Sequence, residues 1–184
     1  MMKYLNEKRI SKVDMIFIIS GLAIISLLLG YITTISVVMK LNLHVHTNIS
    51  GESMHVSVTE DSRILYIDPQ YKKIRRGDIV SNAVTFLDVP VERGSSGDPL
   101  IIIKRVIALP GETIRIEENK VYINNELLSE PYAYYSGKSD DDTVMILGED
   151  EYFVIGDNRL DSGDSRDWGP FNIENITGVA LIIR

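Results

Sequence analysis

Residues 15–39 read MIFIISGLAIISLLLGYITTISVVM, an apolar run without one charged side chain. No other feature limits the chain's fold so strongly. A soluble core helix needs polar residues on its outer face, and this run has no such alternation. At about 1.5 Å per residue it can cross a hydrocarbon core about 30 Å thick. A cleaved leader has an apolar stretch of only about 7–15 residues, followed by a small-x-small site. Here Lys40-Leu41-Asn42-Leu43-His44 follows instead. The segment is read as an uncleaved transmembrane helix, with residues 1–14 as a tail and 41–184 as a body beyond it.

Charge orients this anchor. Lys3, Lys8, Arg9, Lys12 and Lys40 stand against Glu7 and Asp14 in residues 1–40. Of 19 basic and 26 acidic residues in all, 14 and 24 remain beyond position 40, a net of −10. Basic residues are retained on the cytoplasmic side, so the N-terminus is expected in the cytoplasm and residues 41–184 outside a cell membrane crossed once. Membrane lipid is then a partner. Nucleic acid is not, because an acidic body repels phosphates. The absence of cysteine removes disulfides, thiolate zinc sites and a cysteine nucleophile.

The body reads mainly as β structure. Short runs rich in Val, Ile and Tyr occupy residues 64–67, 78–86, 100–109, 113–117, 120–123, 152–155 and 178–183. Turn residues separate them, and a hairpin is expected at Glu118-Asn119. Residues 92–99 and 137–142 read as loops. The expected fold is one antiparallel β domain, a sandwich or partial barrel with residues 113–149 as a small insertion-like part, on one N-terminal transmembrane helix.

Two residues suggest chemistry on physical grounds. Lys104 ends the run Pro99-Leu100-Ile101-Ile102-Ile103. If buried there, its amine loses solvation, its pKa falls, and it becomes a competent general base without histidine. Strand alternation equally allows it to face solvent. Ser53, in Gly51-Glu52-Ser53-Met54-His55, carries half of a nucleophile elbow and lacks the second glycine. His44-Val45-His46 could offer two metal ligands but has no third nearby, and reads as a membrane-proximal loop without function. The acidic stretch 157–167 fails the spacing of a calcium loop. No metal or cofactor is expected.

Four segments taken together say more. They are Ser50-Gly51-Glu52-Ser53-Met54, Arg76-Gly77-Asp78-Ile79-Val80, the stretch KRVIALPGE from Lys104 to Glu112, and the stretch GDNRLDSGDSRDWG from Gly156 to Gly169. In this order behind one membrane helix, they resemble the signature boxes of type I signal peptidases, in the branch common in Gram-positive bacteria. The resemblance implies a signal-peptidase-like fold and a membrane-bound serine endopeptidase acting on exported precursor proteins that bear signal peptides. It implies Ser53 as nucleophile and Lys104 as base. Ser162 matches the serine whose hydroxyl holds the lysine amine, Asp164 and Arg166 an ion pair beside the site, and Asp157 with Arg105 a second polar support. Gly51 stands where some members add a serine hydroxyl for the oxyanion. Val56-Ser57 stand where the family usually has Pro-Thr.

A second reading is a catalytically silent relative that binds exported precursors and helps a surface structure such as a pilus assemble. Val56 and the shortness of residues 113–149 motivate it, while the intact Ser53 and Lys104 oppose it.

Overall fold

The structure, a computed structural model, describes residues 11–46, 50–55, 57–84, 100–135 and 142–183. The chain divides into two compact units, Met1–Asn42 and Leu43–Arg184. In the first, helix α1 (Lys12–Lys40) outruns the apolar stretch at both ends. Ser11 caps it: its hydroxyl accepts from the Asp14 N–H while the Asp14 carboxylate takes the Ser11 N–H. It is one helix long and apolar enough to cross a membrane, and none of its residues is buried.

The second unit is built on two antiparallel sheets. The larger contains β1 (His44–His46), β2 (Ile64–Ile67), β3 (Ile79–Val84), β4 (Leu100–Ala108), β9 (Glu151–Ile155), β10 (Phe171–Asn172) and β11 (Ile176–Ile183), in the spatial order β1-β2-β11-β3-β4-β9-β10. The smaller runs β7 (Glu126–Leu127), β6 (Lys120–Ile123), β5 (Thr113–Glu117), β8 (Thr143–Ile146). The fold is mainly antiparallel β with one N-terminal apolar helix. The hairpin between β5 and β6 turns at Glu118 and Asn119, both at positive φ (50° and 62°), as a two-residue primed turn requires. Alternation then buries Ile114, Ile116, Val121 and Ile123 against Ile107, Ala108, Phe153 and Ile155 of the larger sheet. β5 and β6 thus share one core with β4 and β9.

Some boundaries differ from the expectations. The loop foreseen at His44-Val45-His46 is a strand: it pairs with β2, and the His44 ring stacks on Tyr66 with centroids 5.5 Å apart. Three residues of alternating pattern are too few to announce a strand that long-range pairing creates. β7, β8, β10 and the one-turn helix α2 (Ser165–Trp168) were not foreseen for the same reason. Residues 85–86 of the second expected strand, the loop at 92–99, and 137–141 of the other loop lie outside the described residues.

Candidate active site

β4 delivers the lysine. Among the described residues, its first half pairs only with β3, from Leu100 opposite Val84 to Arg105 opposite Ile79. Its second half also pairs with β9, where Arg105 faces Ile155. Continuing that register sets Gly156 opposite Lys104, just where β9 ends. Lys104 is only 4% exposed. Burial brings its pKa down from an ordinary 10.5 to about 8, against the opposing pull of the Asp164 carboxylate and helped by the Arg166 guanidinium. The amine donates to Ser53 Oγ at 2.6 Å. The two residues that sequence singled out, 51 positions apart, are in contact.

A short turn presents the serine. The His55 N–H closes it on the Glu52 carbonyl at 2.9 Å, and the Val58 N–H bonds the Met54 carbonyl at 2.9 Å. Met54 and Val58 are buried with Ile64, Tyr66 and Ile79, so the residue after Ser53 nails the turn to the core. Gly51 has φ +96°, a conformation that favours glycine. Replacing it by serine would strain the backbone as well as add a hydroxyl. Val56 lies outside the described residues. The Ser57 hydroxyl accepts from Arg105 Nη2 at 3.1 Å.

Arg105 acts as a bracket. It grips the fully buried Asp157 through Nε (2.7 Å) and Nη2 (2.6 Å), donates to the Gly77 carbonyl at 2.8 Å, and lies 4.2 Å above the Tyr132 ring. Asp164 is a second hub. One oxygen takes the Gly156 N–H (3.0 Å), the Ser162 hydroxyl (2.7 Å) and Arg166 Nη2 (3.0 Å); the other takes Arg166 Nε at 2.8 Å. Asp164 also caps α2. The acidic stretch is therefore largely spent on cations and main-chain N–H groups. Ser162 stands differently from its expected role. Its hydroxyl donates to Asp164, and among the described residues Lys104 bonds Ser53 and not Ser162. A carboxylate is the stronger acceptor for an O–H, and this one is two residues away.

Other residues of the site were missed. A Cβ on Gly156 would lie 2.2 Å from Ser162 Oγ and 2.5 Å from the Ser53 carbonyl oxygen, so this glycine permits the approach of both loops. Asn158 bonds the Ser53 carbonyl through its main-chain N–H at 3.0 Å and the Glu52 carbonyl through Nδ2 at 3.2 Å. Both belong to the fourth signature segment, where the signal was present but carried no role. Glu130 and Tyr135 gave no signal. They hold the buried Arg159 at 2.5 Å and 2.7 Å, while Tyr134 is stitched by main-chain bonds to Asp157 and Arg159.

A buried amine bonded to a serine hydroxyl on a β scaffold is an arrangement that suits a serine hydrolase. The family described as signal peptidase, peptidase S26, matches residues 20–184. Signal peptidase I V of Bacillus subtilis (strain 168) is 30% identical over 160 residues, covering 79% of this chain and 88% of that protein. Signal peptidase I of Streptococcus pneumoniae is 32% identical over 174 residues, covering 73% and 79%. A solved signal peptidase I from Enterococcus faecalis V583 has 30% identity, a TM-score of 0.46, and coverage of 59% of this chain and 97% of its own. The chain belongs to the signal peptidase family, and is a serine peptidase.

Proposed function

We propose that this protein removes signal peptides from exported precursors through an acyl-enzyme on Ser53, with Lys104 as general base. The observation that carries the residue assignment is the 2.6 Å contact between a buried Lys104 amine and Ser53 Oγ. Once neutral, the amine takes the Oγ proton as oxygen attacks the scissile carbonyl. The tetrahedral oxyanion is met by the Ser53 N–H. Lys104, now protonated, gives its proton to the leaving amine, and water then hydrolyses the ester.

Among the described residues, β4 has no strand neighbour on its second edge ahead of Arg105. Ile101, Ile102 and Ile103 there are only half-buried. A precursor adding as an extended strand along that edge would bring its scissile bond toward Lys104, with alternate side chains facing the surface. Retained positive charge before α1 supports an N-terminus in the cytoplasm and catalysis outside.

The test is incubation of the full chain in detergent with a secretory precursor. Cleavage at the signal-peptide junction by the native protein, absent in Ser53→Ala, is the expected result. Precursor binding without cleavage would favour the assembly-factor reading, which family membership and the intact pair do not.

A further inference from the structure

Beyond the Ser53–Lys104 pair, the turn carrying Ser53 is held from one side by Asn158. Two consecutive carbonyls are taken by this one residue: Ser53 by its main-chain N–H and Glu52 by its side-chain Nδ2. Asn158 is 8% exposed, and its Oδ1 is buried without a hydrogen-bond partner. An amide kept in place with its oxygen unsatisfied is costly, so the position is held for the donor. The frame around it is fixed. Asp157 on one side is gripped by Arg105, and Arg159 on the other by Glu130 and by the Gly156 carbonyl at 3.1 Å.

The donor's target matters because of what lies across the peptide. The Glu52–Ser53 bond is trans, so the Glu52 carbonyl and the Ser53 N–H point in opposite directions. The Glu52 oxygen accepts from the His55 N–H on one lone pair, and Asn158 supplies the second donor. Two donors on that oxygen fix the peptide plane and so aim the N–H. They also polarise it, since hydrogen bonds at the carbonyl strengthen the donor of the same amide. Among the described residues, nothing accepts from the Ser53 N–H.

We propose that Asn158 is a positioning residue of the oxyanion hole, its side-chain amide orienting and polarising the Ser53 N–H by donating to the Glu52 carbonyl. The inference rests on Ser53 being the nucleophile, as proposed above.

The experiment uses the full chain in detergent and a quenched fluorescent peptide spanning a signal-peptide junction. Asn158→Leu keeps the size and removes the donor. Its kcat should fall by about 10–100-fold with KM within about twofold, because the lost interaction acts only in the transition state. Affinity for a peptide boronate that adds to Ser53 as a tetrahedral adduct should fall by the same factor. The pH dependence of kcat should not move. A merely structural role would raise KM or shift that profile and leave the boronate factor unmatched, and either result overturns the proposal. So does a kcat within twofold of native. Should Asn158→Leu fail to fold, Asn158→Asp, of the same shape and without the donor, is measured on the pH plateau; full activity there is equally decisive against it. Native protein that cleaves while Ser53→Ala does not upholds the underlying reading whatever Asn158 does. Cleavage by Ser53→Ala removes both.

Discussion

Gly156 and Ser53 meet so closely that no methyl group fits between them: a Cβ at position 156 would sit 2.5 Å from the Ser53 carbonyl oxygen. The same Cβ would lie 2.2 Å from Ser162 Oγ. Gly156→Ala must therefore push the Ser53 turn off the strand that carries Lys104. A displacement of about 1 Å costs on the order of 10²-fold in rate, and that is the expected loss. Removing the Ser162 side chain in Gly156→Ala/Ser162→Gly should not restore activity, because the main-chain clash remains. Cleavage assays on both variants decide it; recovery in the double variant would place the conflict at Ser162 alone.

The proposed pair makes a sharper demand on additivity. Ser53→Ala and Lys104→Ala should each abolish cleavage, and the double variant should be hardly slower than either, since members of one catalytic unit are lost together. Lys104→Arg should be as inactive as Lys104→Ala, because a guanidinium does not release its proton at working pH. Single-turnover assays would show the assignment to be wrong if Lys104→Ala kept near-native rates.

How far the sequence reveals this site depends on the kind of contact. Ser53 and Lys104 are legible because the signature segments resemble those of a known family, and the turn at Glu118-Asn119 is legible because its chemistry is local. The burial of Lys104 is not local. Alternation along β4 leaves its direction open, and tertiary packing decides it. Glu130 and Tyr135 were invisible for a related reason: their hold on Arg159 joins segments 24 or more residues apart by tertiary packing. The Ser162 hydroxyl's bond to Asp164 is likewise a contact that only the structure displays.

Arg105 and Asp157 form an ion pair with side chains only 12% and 0% exposed. Removing one partner leaves the other charge buried, which costs about 3–5 kcal/mol. Asp157→Ala should lower unfolding stability by about that amount. It should also reduce activity, because Arg105 holds Ser57 beside the Ser53 turn. Replacing both charges, as Arg105→Met/Asp157→Leu, should be less destabilising than the sum of the two single changes. Denaturant unfolding of the four proteins gives the coupling; strict additivity would mean the pair contributes nothing as a pair.

The pH dependence follows from the buried amine. As the proposed base, Lys104 works only when neutral, so kcat/KM should rise with pH through one ionisation near the value of about 8 and level off above it. His55 is the other candidate base by position, but it is exposed and its Nδ1 lies 3.3 Å from the Glu52 carboxylate. His55→Ala should leave the profile unchanged. Stability carries the same signature with a definite sign. The folded value lies below the ordinary 10.5, so between about 8 and 10.5 the unfolded chain binds more protons and stability rises with pH. Below about 8 both states are charged, and the full cost of burying the ammonium, on the order of 3 kcal/mol, is felt. Lys104→Met should therefore be more stable than the native protein at pH 7, with the difference shrinking toward pH 10.5. Unfolding midpoints of both proteins across that range are the measurement. A native profile whose ionisation vanished in His55→Ala and survived in Lys104→Ala would move the role of base to the histidine.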